Sequence, residues 1–148
     1  MIEIKIKRLT ETAKMPTKAH ESDACFDLYL DSPNKNKIII RPGETVKLHS
    51  GIATEIPIGY FVAIFPRSGL GINKNLRLPN CTGIIDADYR GEWVIAIIND
   101  SDEERVLYHG DRLCQFAVLP VLDTVLKEVD ELNETERGAG GLGSTGVK

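Results

Sequence analysis

The chain has 148 residues, 42% hydrophobic and 27% charged, and 18 basic against 22 acidic side chains give a formal net charge of −4. This length supplies a single domain able to bury roughly 68–70% of its unfolded surface, and the acidic balance excludes non-specific nucleic-acid or anionic-membrane binding, which needs a basic surface. Three cysteines, Cys25, Cys81 and Cys114, in no CxxC or Cys/His spacing, exclude full disulfide pairing and an ordinary zinc site and predict reduced thiols in the cytoplasm.

Ile2, Ile4 and Ile6 alternate with Glu3, Lys5 and Lys7, which is the period of a half-buried strand and not of an apolar signal region. No run of 18 apolar residues occurs, so no membrane span is expected. Residues 10–23 are polar and contain Met15-Pro16, and read as a loop. Phe26-Asp27-Leu28-Tyr29-Leu30 reads as a short strand whose Asp27 faces away from the aliphatics; alternation alone fits a solvated carboxylate there. Ile38-Ile39-Ile40, Thr45-Val46-Lys47-Leu48, residues 52–56 and residues 60–65 follow as strands, separated by turns at Pro42-Gly43, Gly51 and Pro57-Ile58-Gly59. A turn every eight to twelve residues predicts an all-β sandwich or barrel.

Pro66-Arg67-Ser68-Gly69 breaks that rhythm. Ser68 is expected to cap a short helical turn over residues 69–73, making with Arg67 a corner suited to an anion. The stretch Asn80-Cys81-Thr82-Gly83-Ile84-Ile85-Asp86-Ala87-Asp88-Tyr89-Arg90-Gly91-Glu92-Trp93 is the most loaded in the chain. Apolar runs flank it, and two acids, a phenol and a guanidinium crowd its middle, so it reads as a β-hairpin whose turn meets a ligand. Further strands are expected at residues 105–108, at residues 113–119 with Gln115 in the middle, and at residues 123–129.

Beyond residue 130 the chain is acidic and then glycine-rich. It has little apolar content to bury and is expected to be mobile when alone. Gly138-Ala139-Gly140-Gly141-Leu142-Gly143 fits G-x-G-x-x-G, but only five residues follow Gly143, which leaves no room for the helix of a dinucleotide fold. No Lys precedes Ser144, so a Walker A loop is excluded too. What remains is a run of exposed N–H groups, one Arg and two hydroxyls suited to wrapping phosphates.

Five segments stand out: residues 24–29, residues 66–69, residues 80–92, Gly110-Asp111-Arg112 through Gln115, and residues 137–146. In this order and spacing they resemble the five motifs of the trimeric dUTP pyrophosphatases, over nearly the whole chain. The resemblance implies a jelly-roll-like distorted β-barrel with one short helical turn. It implies a core over residues 1–133, a C-terminal arm over residues 134–148, and a homotrimer whose active sites lie between subunits. The reaction implied is dUTP and water to dUMP and pyrophosphate, with Mg²⁺ held mainly by the substrate phosphates. Asp86 is implied as the base that activates the attacking water. Tyr89 would pack against the deoxyribose, and Asn80 with the backbone of Gly83, Ile84 and Ile85 would read uracil. Arg67, Ser68, Gly69 and Gln115 would bind the phosphates, and Asp27 would reach the metal through water. Arg137, Leu142, Gly143, Ser144 and Thr145 would close from the arm. Asp111 and Arg112 are expected to pair with each other, and Asp88 to be structural or to pair with Arg90.

Leu142 stands where the family usually has an aromatic residue, so arm closure is expected to weaken, in KM more than in kcat. Cys25 stands where Gly is common. Two rival readings share the fold: a dCTP deaminase, disfavoured by the third motif and the Arg-Gly-rich arm, and a non-catalytic nucleotide-binding or regulatory module, disfavoured by the intact Asp86, Tyr89 and Arg137.

Overall fold

Short apolar runs broken every few residues by turn formers give a chain of short strands. The computed structural model describes residues 1–32, 34 and 37–141. In chain order the elements are β1 (Lys5–Arg8), β2 (Phe26–Tyr29), β3 (Ile38–Ile40), β4 (Thr45–His49), β5 (Ile52–Glu55), β6 (Tyr60–Phe65), α1 (Ser68–Lys74), β7 (Leu76–Arg77), β8 (Gly83–Ile85), β9 (Val94–Asn99), β10 (Arg105–Leu107) and β11 (Arg112–Pro120). The prediction of an all-β architecture with one short helix is met.

The strands form a four-stranded sheet β2-β11-β6-β8, a three-stranded sheet β4-β9-β7 and two ribbons, β1-β5 and β10-β3, all antiparallel. Among the described strands none pairs with its neighbour in sequence. Each turn therefore carries the chain to another part of the barrel, as jelly-roll wrapping requires.

This overturns the hairpin expected over residues 83–98. β8 pairs with β6, Ile85 opposite Val62 and Gly83 opposite Ile64, whereas β9 pairs with β4 and β7. The loaded residues 86–93 form a crossover between two sheets. Local apolar runs cannot reveal this, because the partners of β8 and β9 lie elsewhere in the sequence.

Leu28, Val62, Ile64 and Phe116 of the four-stranded sheet and Leu48, Ile95 and Ile97 of the three-stranded sheet are all buried in one core. Trp93 joins the sheets, its ring edge-on to Phe116 at 5.1 Å, and Phe116 stacks on Phe26 at 5.5 Å. The N-terminal strand begins at Lys5, not Ile2, because its register runs from Lys5 opposite Glu55 to Arg8 opposite Ile52. The strand expected at residues 123–129 is absent. β11 ends at Pro120, and Val125 and Leu126 are exposed, at 92% and 93%, with none of the described strands paired to them.

Candidate active site

β2, β6 and β11 build one half of the site. Asp27 on β2 lies opposite Gln115 on β11, and Gln115 lies opposite Phe65 on β6, so one sheet row aligns all three. Immediately beyond Phe65 the chain turns into α1. Asp27 is only 9% exposed, a poor place for a lone carboxylate. It is compensated twice: Arg67 Nε donates to Oδ1 at 2.7 Å and Arg112 Nη1 donates to Oδ2 at 3.0 Å. One carboxylate thus holds two guanidiniums, leaving a local excess of positive charge. Arg67, Gly69, Lys74, Asp111 and Arg112 line a cavity of about 280 Å³ beside it. Gln115 Nε2 donates to the Pro66 carbonyl at 3.2 Å, fastening the corner to β11.

Two expectations at this corner are corrected. Arg67, not Ser68, occupies the N-cap position of α1, and no side chain caps the helix; Leu70 and Gly71 donate to the Arg67 carbonyl instead. Ser68 and Gly69 are exposed. Arg112 pairs with Asp27 and not with Asp111, whose carboxylate accepts from the Tyr108 N–H at 2.8 Å. Asp111 is spent on closing its own turn, as Asp in a Gly-Asp turn commonly is. That local habit is the signal that could have released Arg112 for the site.

Cys114 lies behind the corner. Burial first, and the Asp27 charge second, push its thiol up to about 12, so it remains neutral and is no nucleophile.

β8 and the crossover build the other half. Gly83 passes so close to β6 that a Cβ there would come within 3.3 Å of the Ile64 Cβ. The preceding turn is tight: Cys81 takes a positive φ of 61° and Thr82 N donates to the Asn80 carbonyl at 2.6 Å, leaving the Asn80 side chain exposed. Past β8 the chain turns over the Tyr89 N–H to Asp86 carbonyl bond of 3.2 Å. Ile84, Ile85, Asp86, Tyr89, Glu92 and Val94 line a second cavity of about 270 Å³. Among the described residues the exposed Asp86 carboxylate makes no hydrogen bond or ion pair, so its lone pairs are open to water. Arg90 does not pair with Asp88; Nη1 donates to the Ala87 and Tyr89 carbonyls at 2.6 and 3.2 Å and stiffens the turn.

The two cavities share no lining residue. Asp86 follows Ile85, which faces Val62, while Arg67 is five residues beyond Val62. At about 3.3 Å per residue Asp86 and the guanidinium corner of one chain are roughly 15–20 Å apart. In the arm, Arg137 Nε donates to the Gly140 carbonyl at 2.9 Å within a local turn. Leu142, Gly143, Ser144 and Thr145 lie outside the described residues.

The family model for dUTPase matches residues 11–146. The chain is 44% identical to the deoxyuridine 5'-triphosphate nucleotidohydrolase of Syntrophotalea carbinolica, over 98% of this chain and 97% of the relative. It is 40% identical to that of Alkaliphilus metalliredigens over the full length of both. Its fold is similar to a solved dUTPase mutant of Staphylococcus bacteriophage 80alpha with dUpNHpp, with a TM-score of 0.87 and 27% identity over 98% of this chain and 99% of that one. A solved mutant dUTPase of phage phi11 of S. aureus, described with a structural Mg(II) ion, is 25% identical with a TM-score of 0.79, over 89% of this chain and 99% of that one. With a family match across residues 11–146 and such relatives along its whole length, this chain belongs to the dUTPase family.

Proposed function

We propose that the protein hydrolyses dUTP to dUMP and pyrophosphate, limiting uracil in DNA and supplying dUMP for thymidylate synthesis. The observation that carries the reading is the division of labour between the two cavities: a free carboxylate beside an aromatic side chain in one, and two guanidiniums on one buried acid in the other. Asp86 takes the proton of the water that attacks the α-phosphorus, a general-base contribution of roughly 10²–10⁴ in rate. Tyr89 packs on deoxyribose and leaves no room for a 2′-hydroxyl. Asn80 and the backbone of Gly83, Ile84 and Ile85 read the uracil edge. A polar mismatch with cytosine there costs on the order of 10⁴–10⁵.

Arg67 supplies charge to the triphosphate, with the Ser68 and Gly69 backbone and Gln115 beside it. Arg137, Leu142, Gly143, Ser144 and Thr145 close over the nucleotide once it is bound, with residues 134–148 acting as an arm on a core of residues 1–133. Among the described residues no group of three His, Cys, Asp or Glu is placed for a metal, and both Asp27 oxygens face guanidiniums. A magnesium ion would ride on the substrate phosphates and keep its water shell. Asp27 would meet it through water. The ion supplies charge neutralisation at the phosphates.

A homotrimer completes the site. The roughly 15–20 Å between Asp86 and Arg67 along the β6–β8 pair supports catalytic groups drawn from different copies. Exposed Val121, Leu122, Val125, Leu126 and Leu132 offer apolar surface to a neighbour. An apolar groove lined by Ile2, Ile4, Met15, Phe26 and Val118 offers a place to seat it. Among the described residues no helix is long and apolar enough to cross a membrane. We place the enzyme in the cytoplasm on its three free thiols.

The direct test is incubation with dUTP, dCTP or UTP and Mg²⁺, with pyrophosphate and ammonia both measured. Pyrophosphate from dUTP alone is expected; ammonia from dCTP would establish a deaminase, and silence in every tube a binding module. Asp86→Asn is expected to lower kcat at least about 100-fold while still binding dUTP.

A further inference from the structure

The crossover of residues 86–93 has to present Asp86 and Tyr89 at a fixed height, yet it is a loop between two sheets. Its first end is held by β8. Its far end is held by the Glu92 side chain and by the buried Trp93 that follows it. The Glu92 Oε1 accepts the Gly51 N–H at 2.8 Å, and Oε2 contacts His49 Nδ1 at 2.8 Å. His49 ends β4, and Gly51 forms the turn into β5. The Glu92 carbonyl accepts the Tyr89 hydroxyl at 3.0 Å, and the next residue, the buried Trp93, donates its N–H to the Ile52 carbonyl at 3.0 Å. Tyr89 lies so close over Gly91 that a Cβ there would collide with its hydroxyl. Position and orientation of the phenol therefore depend on where residue 92 is fixed.

We propose that Glu92 is a positioning residue for substrate selection: its carboxylate clamps the crossover to the β4–β5 corner and so sets the Tyr89 ring at the distance that excludes a ribose 2′-hydroxyl. An exposed Glu–His pair alone would contribute little. This carboxylate is 75% shielded, with its side chain at 25% exposure, and its second oxygen holds a backbone N–H in a buried turn. The inference rests on Tyr89 forming the sugar wall. A shift of the order of 1 Å at a positioned group is enough to change rates substantially.

The test is the ratio of kcat/KM for dUTP to that for UTP, measured with Mg²⁺ on the intact protein. A merely structural defect lowers the concentration of folded enzyme and scales both substrates alike. Displacement of Tyr89 changes the ratio. Glu92→Ala is expected to lower the ratio roughly tenfold or more. Glu92→Gln, which keeps an oxygen for the Gly51 N–H and a polar group for His49, is expected to hold it near the wild-type value. Emission of the sole tryptophan, Trp93, reports release of the clamp apart from turnover, and a red shift is expected in Glu92→Ala only. If Glu92→Ala does not fold, Tyr89→Phe serves in its place: it removes only the hydroxyl that reaches the Glu92 carbonyl, and a lowered ratio is again expected. An unchanged ratio in Glu92→Ala, or in Tyr89→Phe where that serves in its place, overturns the clamp, as does a Gln variant as impaired as Ala. Tyr89→Ala separates the two readings. If it leaves the ratio intact, the sugar-wall reading fails; if it lowers the ratio and Glu92→Ala does not, the clamp alone fails.

Discussion

Asp27 shows how a single residue changes meaning once its neighbours are known. Alternation alone reads it as a solvated carboxylate, and the family resemblance adds a metal contact through water; the fold shows it buried between Arg67 and Arg112. Asp27→Asn keeps the shape and removes the charge, leaving two guanidiniums without their counter-ion. The Arg112 side chain is 46% exposed, so water offsets part of the loss, and a destabilisation of about 2 kcal/mol is expected in urea unfolding. KM for dUTP should rise together with it, because both arginines lose their fixed direction. Cys114 gives a second residue-scale expectation. Folding raises its pKa to about 12, so the unfolded thiol loses its proton first as pH rises. The thiol's contribution to stability is complete below the unfolded pKa and is lost between there and about pH 12. Unfolding free energy should therefore fall more steeply with alkaline pH in the wild type than in Cys114→Ala, and iodoacetamide at neutral pH should label Cys25 and Cys81 before Cys114.

At the scale of elements, the turns matter more than the strands they join. The corner between β4 and β5 depends on Gly51, whose φ is +67° and whose position leaves no space: a Cβ there would meet the Asp31 carboxylate at 2.5 Å and the Ala13 methyl at 2.7 Å. Asp31 is itself held by Thr10 and Thr12 hydroxyls at 2.6 Å each, so it cannot yield cheaply. Gly51→Ala is expected to cost about 2–4 kcal/mol, from the left-handed backbone and the overlap together, seen as a lowered unfolding midpoint. Because the Gly51 N–H also anchors Glu92, this variant should disturb nucleotide selection as well. The turn signals in the sequence mark such corners correctly, but a turn signal carries no information about which strand the chain will meet next. That is why residues 83–98 read as a hairpin and fold as a crossover.

For the whole molecule, the segment after Pro120 is the decisive part. It leaves the barrel with apolar side chains exposed, which a free monomer of 16.4 kDa would be expected to cover by association. Light scattering should give about three times that mass. Truncation before Arg137 should preserve the assembly and collapse kcat/KM for dUTP, and an unaffected truncated enzyme would disprove the closing arm. Aromatic replacement at Leu142 should lower KM more than it raises kcat.

The sequence alone determined the strand-rich class and the position of nearly every turn, because period and turn chemistry are local properties, and it showed five polar or glycine-rich segments whose order resembles the dUTPase motifs. It made Asp86, Tyr89 and Arg67 visible for the same reason. Only the tertiary structure decided that Asp27 belongs to Arg67 and Arg112, that Asp111 closes its own turn, and that Glu92 anchors the loaded stretch to a corner some 40 residues earlier in the chain. Those pairings are set by which strands lie side by side, and in a barrel where none of the described strands meets its sequence neighbour, that choice is made by the packing of the whole core.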